Sequence, residues 1–116
     1  MAICARKNIA SRVSKVENIE DEDQDVVWAE VTQSKNKKFY LACYYGKQEA
    51  DKRTTIEKEY QQLDTQLGTM IRKGEIIIAA DFNAKLEINE DNYKQKQSKN
   101  GELLQKLINK YNLQKI

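Results

Sequence analysis

The sequence contains no histidine and no proline, and only two cysteines and four glycines among its 116 residues. Without an imidazole, the chain has no histidine general base and no histidine metal ligand of its own. The missing proline carries no functional reading. Cys4 and Cys43 sit in short apolar runs that read as strands, where a thiol behaves as a small buried hydrophobe; the expectation is a reducing, intracellular compartment, nuclear or cytoplasmic. No apolar run approaches the roughly 20 residues that a membrane span needs. The opening Met1-Ala2-Ile3-Cys4-Ala5-Arg6-Lys7 is too short for the apolar region of a signal peptide. An excess of one charge is lacking as well: 20 Lys and Arg oppose 18 Asp and Glu, a net charge of +2 that argues neither for nor against a nucleic-acid partner. With 40% hydrophobic residues, the chain can fill one core of two packed layers, so one domain is the ceiling.

What is present divides by period. Ala2–Ala5 is a short apolar stretch that reads as a strand, and another short strand is expected near Ile9 to Val16. Glu17, Glu20, Asp21, Glu22, Asp23 and Asp25 form an acidic run expected to be a solvated loop; it lacks the glycine that an EF-hand turn requires. Val26–Val31 and Lys38–Tyr45 are rich in β-branched and aromatic residues, and the polar Ser34-Lys35-Asn36-Lys37 between them signals a hairpin. In the second strand Phe39, Leu41, Cys43 and Tyr45 share one face and Tyr40, Ala42 and Tyr44 the other, as in a strand covered on both sides. Ile56, Tyr60, Leu63, Leu67 and Met70 then fall at spacings of four and three, the stripe of an amphipathic helix. Thr54 and Glu57 resemble its capping box, Gly74 its stop, and Gly68 costs about 1 kcal/mol within it. Ile76-Ile77-Ile78-Ala79-Ala80 reads as a central strand buried on both faces. Lys85 to Lys99 is polar and irregular, a loop, and a second helix is expected from Glu102 to Tyr111 with Leu103, Leu104, Leu107, Ile108 and Tyr111 on its buried side. Hairpin, helix, strand and helix make an α/β layered domain.

The chemistry-bearing residues follow the central strand. Open α/β sheets place ligands at the carboxyl ends of their strands, which is where Asp81 and Asn83 emerge around Phe82. In extended conformation the two polar side chains project together while Phe82 points back to the core. A carboxylate can hold a hard cation or orient and deprotonate water, and a carboxamide can donate to a phosphate oxygen, a pairing suited to phosphodiester hydrolysis. The alternative is that Asp-Phe-Asn is a turn, since both polar residues favour Asx-type and left-handed conformations at strand ends.

The run Glu75-Ile76-Ile77-Ile78-Ala79-Ala80-Asp81-Phe82-Asn83-Ala84 resembles the Gly-Asp-Phe-Asn-Ala motif of the endonuclease/exonuclease/phosphatase family, the deoxyribonuclease I-like phosphodiesterases, with Ala80 in place of the usual glycine. Within the family the likeness is greatest to the endonuclease domains of non-LTR retrotransposons. Ala2–Lys7 is similar to their early strand, Trp28–Val31 with Phe39–Gly46 to the strand pair before the long helix, and Asn100-Gly101-Glu102-Leu103-Leu104 to the segment that opens the next helix. The resemblance spans nearly the whole chain, and only Asp-Phe-Asn within it is specific. It implies a partial layered α/β sandwich of mixed sheet strands and two main amphipathic helices over 1–116, lacking the family's N- and C-terminal portions. It implies a Mg2+-dependent hydrolase acting on DNA or another phosphodiester. Asp81 would orient the attacking water and lie at the metal, Asn83 would contact the scissile phosphate, and Tyr44 would be an active-site tyrosine; a packed aromatic is the equal alternative for Tyr44. Gly46 and Lys47 depart from the proline and asparagine that the family often carries after that tyrosine. The family's metal-binding glutamate and its aspartate-histidine pair have no counterpart in the chain, so no autonomous hydrolysis is expected. A second reading is a non-catalytic domain that binds nucleic acid or protein through Lys85, Lys94, Lys96 and Lys99, against the ordinary role of such lysines as solubilising surface.

Overall fold

The computed structural model describes residues 2–17, 19, 26–46, 53–84, 88–90, 93–95 and 98–116, with 53–55, 88–90 and 93–95 described by their backbone alone. These residues form a small α/β fold with a mixed four-stranded sheet and two helices. After a short 3-10 helix at Ala10–Arg12 come β1 (Val13–Lys15), β2 (Val26–Ser34), β3 (Lys37–Tyr45), α1 (Arg53–Ile71), β4 (Glu75–Asp81), β5 (Ile88–Glu90), β6 (Tyr93–Gln95) and α2 (Lys99–Lys110). Two compact units emerge, residues 1–45 with 65–80 and residues 46–64 with 81–116, so that α1 contributes its second half to the first unit and its first half to the second.

The first unit holds the sheet, in the order β1-β2-β3-β4. β2 and β3 form the expected antiparallel hairpin, with Val26 opposite Tyr44, Trp28 opposite Ala42 and Glu30 opposite Tyr40, and an irregularity between Thr32 and Ser34 beside the turn. β1 adds along the far side of β2, pairing Val13 with Val31. β4 follows α1, the kind of long crossover that parallel neighbours require. Two contacts give its direction. A Cβ on Gly74 would lie 3.3 Å from the Lys38 carbonyl oxygen at the start of β3, and the Gly46 amide just after β3 donates to the Asp81 carbonyl at 2.7 Å.

One face of this sheet is a core. Trp28, Tyr40, Ala42 and Tyr44 are buried on it, as are Gln66, Leu67 and Met70 of α1, and the indole Nε1 of Trp28 donates to Gln66 Oε1 at 2.8 Å. That bond supplies the partner a buried indole N–H requires. The other face carries Val27, Val31, Phe39, Leu41 and Cys43, all partly exposed, with Tyr45 at 50% and Ile77 at 54%. Ala29 alone is buried there, flanked by Leu41 and Lys15.

Several sequence expectations change here. β4 is the edge strand of this sheet, with Ile76 and Ile78 half-buried and Ile77, Ala79 and Ala80 exposed, rather than a central strand covered on both faces. Ala2–Ala5 forms no strand and Cys4 is exposed, while Cys43 is half-buried in β3; the two cysteines are not joined in a disulfide. Gly74 follows α1 without adopting a left-handed conformation, and it is closely packed, with the Lys38 carbonyl oxygen and the Tyr40 ring each 3.3 Å from where a Cβ would stand. Lys85–Lys99 is not loop throughout, for β5 and β6 pair antiparallel within it. Glu20–Asp25 and the side chain of Thr54 lie outside the described residues, and α1 begins at Arg53, one residue before Thr54.

In the second unit Ile56, Tyr60 and Leu63 of α1 are buried, together with Asn100, Gly101, Leu104 and Leu107 of α2. α2 begins three residues before its expected start. Ser98 is its N-cap, accepting the Gly101 amide at 3.0 Å, which satisfies a first-turn donor. At the other end Lys110 Nζ lies 2.9 Å from both Asp64 carboxylate oxygens, and the Tyr111 hydroxyl donates to Asp64 Oδ1 and approaches the Asp64 carbonyl at 2.9 Å. The Tyr111 hydroxyl first, and Lys110 beside it, hold the Asp64 carboxyl below the usual carboxylate range. Burial, then Asp64, pushes the Tyr111 hydroxyl up. Among the described residues, no helix is long and apolar enough to cross a membrane.

Candidate functional site at the end of β4

β4 ends at Asp81, and the chain turns at once. Asn83 has φ 47°, the left-handed region that asparagine tolerates better than most residues. Its backbone N–H donates to Asp81 Oδ1 at 2.9 Å, which closes an Asx-type turn. The expected extended arrangement, with Asp81 and Asn83 side by side, is therefore replaced by a folded one in which Asn83 reaches back onto the carboxylate. The physical reason is local: a short carboxylate two residues before an amide offers that amide an acceptor just where the strand ladder ends.

Three further bonds fix the turn. Asn83 Nδ2 donates to the Gly46 carbonyl at 2.7 Å, Gly46 N donates to the Asp81 carbonyl at 2.7 Å, and Asn100 Nδ2 donates to the Asn83 carbonyl at 3.0 Å. Gly46 permits this because any Cβ on it would lie 2.6 Å from the Phe82 carbonyl oxygen and 2.9 Å from its carbon. Gly46, directly after the β3 aromatics, is thus the residue that lets the chain pass against Phe82. Asp81 is exposed, and Phe82, Asn83 and Ala84 are half-buried.

Of the three residues singled out in the sequence, Asp81 and Asn83 meet in this turn. Tyr44 lies at the end of β3 in the first unit, where it is 2% exposed, as a packed aromatic is. Sequence reasoning gave no role to Gly46 as a close-approach glycine or to Asn100, which is 0% exposed. The signals available were a glycine directly after an aromatic strand and an asparagine two residues after a serine N-cap. Among the described residues no three His, Cys, Asp or Glu side chains gather as a metal-ligand cluster. Asp81 is the carboxylate at this turn, and since Mg2+ is ordinarily held through one or two carboxylates together with water and substrate phosphates, Asp81 suits part of such a shell. Lys99 is exposed at the start of α2, while Lys85, Lys96 and the side chain of Lys94 lie outside the described residues. No family model, no curated protein and no solved structure matches the chain.

Proposed function

We propose that the chain contributes a layer of a Mg2+-dependent phosphodiesterase of the endonuclease/exonuclease/phosphatase kind, with DNA as its substrate class. The observation that carries this reading is the Asp81–Asn83 turn. It stands at the carboxyl end of a parallel strand, with an exposed carboxylate whose one oxygen is held by a backbone amide. In this role Asp81 orients water and faces the cation. Asn83, whose Nδ2 donates one hydrogen to Gly46, has a second to offer a phosphate oxygen. Bound Mg2+ would supply charge neutralisation at the phosphate. The half-exposed apolar face formed by Val31, Phe39, Leu41, Tyr45 and Ile77 supports a sandwich architecture, because a face of that composition is ordinarily covered by another layer.

Catalytic groups that act as a unit lose most of their rate when one is missing, and the chain holds no histidine. The isolated chain is therefore expected to leave supercoiled plasmid intact in Mg2+. The assay is run beside Asp81→Ala. Nicking that survives the substitution would overturn the role of Asp81; nicking that disappears with it would establish that role and show the site to be more complete than proposed.

A further inference from the structure

We infer that Asn100 is a positioning residue for Asp81, acting through the backbone of Asn83; the inference rests on the functional reading above. Asn100 is polar yet 0% exposed, on the first turn of α2. Helix capping does not explain it, because the Ser98 hydroxyl accepts the Gly101 amide at 3.0 Å and the Ser98 carbonyl accepts the Glu102 amide at 3.0 Å. The side-chain nitrogen of Asn100 is instead spent 17 residues away, on the Asn83 carbonyl. Burying a carboxamide is costly unless its hydrogen bonds are made, so this donor is a built feature of the fold.

What it holds is the one residue of the motif with a positive φ. The left-handed conformation costs a non-glycine residue free energy, and it persists where surrounding bonds over-determine it. At Asn83 the carbonyl is fixed by Asn100, the side chain by Gly46, and the amide is thereby aimed at Asp81 Oδ1. A relay runs from Asn100 Nδ2 to Asn83 O, and from Asn83 N to Asp81 Oδ1. Its chemical consequence is that one carboxylate oxygen is committed and the direction of the other is set before any cation or water arrives. Supporting groups of this kind decide whether a first ligand is poised or loose.

A purely structural Asn100 would tie α2 to the turn without governing the grip on Asp81, and a two-by-two cycle read by NMR separates the two roles. In the wild-type background, Asp81→Ala removes the acceptor of the Asn83 amide. Its hydrogen exchange should quicken about tenfold, as expected for losing a bond to a charged group, and its proton resonance should move. In an Asn100→Ala or Asn100→Asp background the same Asp81→Ala substitution should change neither, because the bond is already lost, and the Asn83 Cα shift should leave the positive-φ range. Leu107→Ala, a buried substitution in the same helix, should leave the full Asp81→Ala effect in the folded population. Equal Asp81→Ala effects with and without Asn100 would overturn the inference. If neither Asn100 variant folds, the trans-hydrogen-bond coupling between the Asn100 side-chain nitrogen and the Asn83 carbonyl carbon is measured in the unmodified chain, and its absence would overturn the inference equally. None of these readouts involves hydrolysis, so their failure is distinct from a failure of the nuclease reading.

Discussion

Replacing Gly46 by alanine tests the packing on which the β4 turn depends. The new Cβ would stand 2.6, 2.9 and 3.1 Å from the carbonyl oxygen, carbonyl carbon and Cα of Phe82, all backbone atoms that cannot swing aside as the end of a side chain could. Overpacking of this sort costs roughly 1–3 kcal/mol. Relief requires the backbones of Gly46 and Phe82 to separate, which strains the bond from Gly46 N to the Asp81 carbonyl and the bond from Asn83 Nδ2 to the Gly46 carbonyl, each worth about 1 kcal/mol. Together these come to about 3–5 kcal/mol, and a domain of this size loses roughly 4 °C or more of melting temperature per kcal/mol. Circular-dichroism melts should thus show a midpoint at least about 10 °C lower, and urea titrations a correspondingly lower midpoint concentration. Gly74→Ala is the graded control: its Cβ would meet Lys38 O and the Tyr40 ring edge at 3.3 Å, contacts a few tenths of an ångström of movement can relieve, so it should cost less. Stability of Gly46→Ala within about 0.5 kcal/mol of the unmodified chain, the range of neutral surface changes, would refute the reasoning.

Two further substitutions follow from the cores of the two units. Gln66→Leu leaves the buried Trp28 indole N–H without its acceptor and should cost about 1–3 kcal/mol; since Trp28 is the only tryptophan, its emission reports both the altered native environment and the unfolding midpoint. Tyr111→Phe removes the hydroxyl bonded to Asp64, and its effect should depend on pH. The folded Asp64 pKa lies below its unfolded value of about 3.9, so the linked stability is present above that value and is lost as pH falls through the folded one. The Tyr111 hydroxyl and the Lys110 ammonium titrate above their unfolded values, so their share is present below about 10 and is lost as pH rises through the folded values. The stability difference between the unmodified chain and Tyr111→Phe should be flat near neutrality and shrink on acidification below about pH 4; a difference that stays constant into acid would contradict the assignment.

The parts of the fold legible in the sequence are those written by local period. All five residues of the α1 stripe, Ile56, Tyr60, Leu63, Leu67 and Met70, are buried, and the β2–β3 hairpin stands where alternation and a polar turn put it. What misled the reading was non-local. The uniform Ile76–Ala80 run has no alternation to show which face is covered, and its place at the sheet edge is set by chain topology. Gly46 and Gly74 look alike in sequence, yet both are explained by close backbone or ring approach from segments more than thirty residues distant. The start of α2 was hidden because Asn100 and Gly101 are poor helix formers, although Ser98 offered a cap. At the candidate site, the Asx turn, the alternative to the extended arrangement, is the observed geometry, while the bond from Asn100 to the Asn83 carbonyl, 17 residues away, could not be read from the asparagine's place after Ser98.

The central claim, that the Asp81–Asn83 turn faces a cation and a phosphate, is tested most directly by amide-resolved NMR titration of the chain with a short DNA duplex, with and without Mg2+. The account predicts perturbations at Asp81–Ala84 that require both Mg2+ and duplex and vanish in Asp81→Ala. Perturbations that are independent of Mg2+, suppressed by salt and centred on lysines such as Lys99, with Asp81–Ala84 unmoved, would contradict it and favour a non-catalytic nucleic-acid-binding domain.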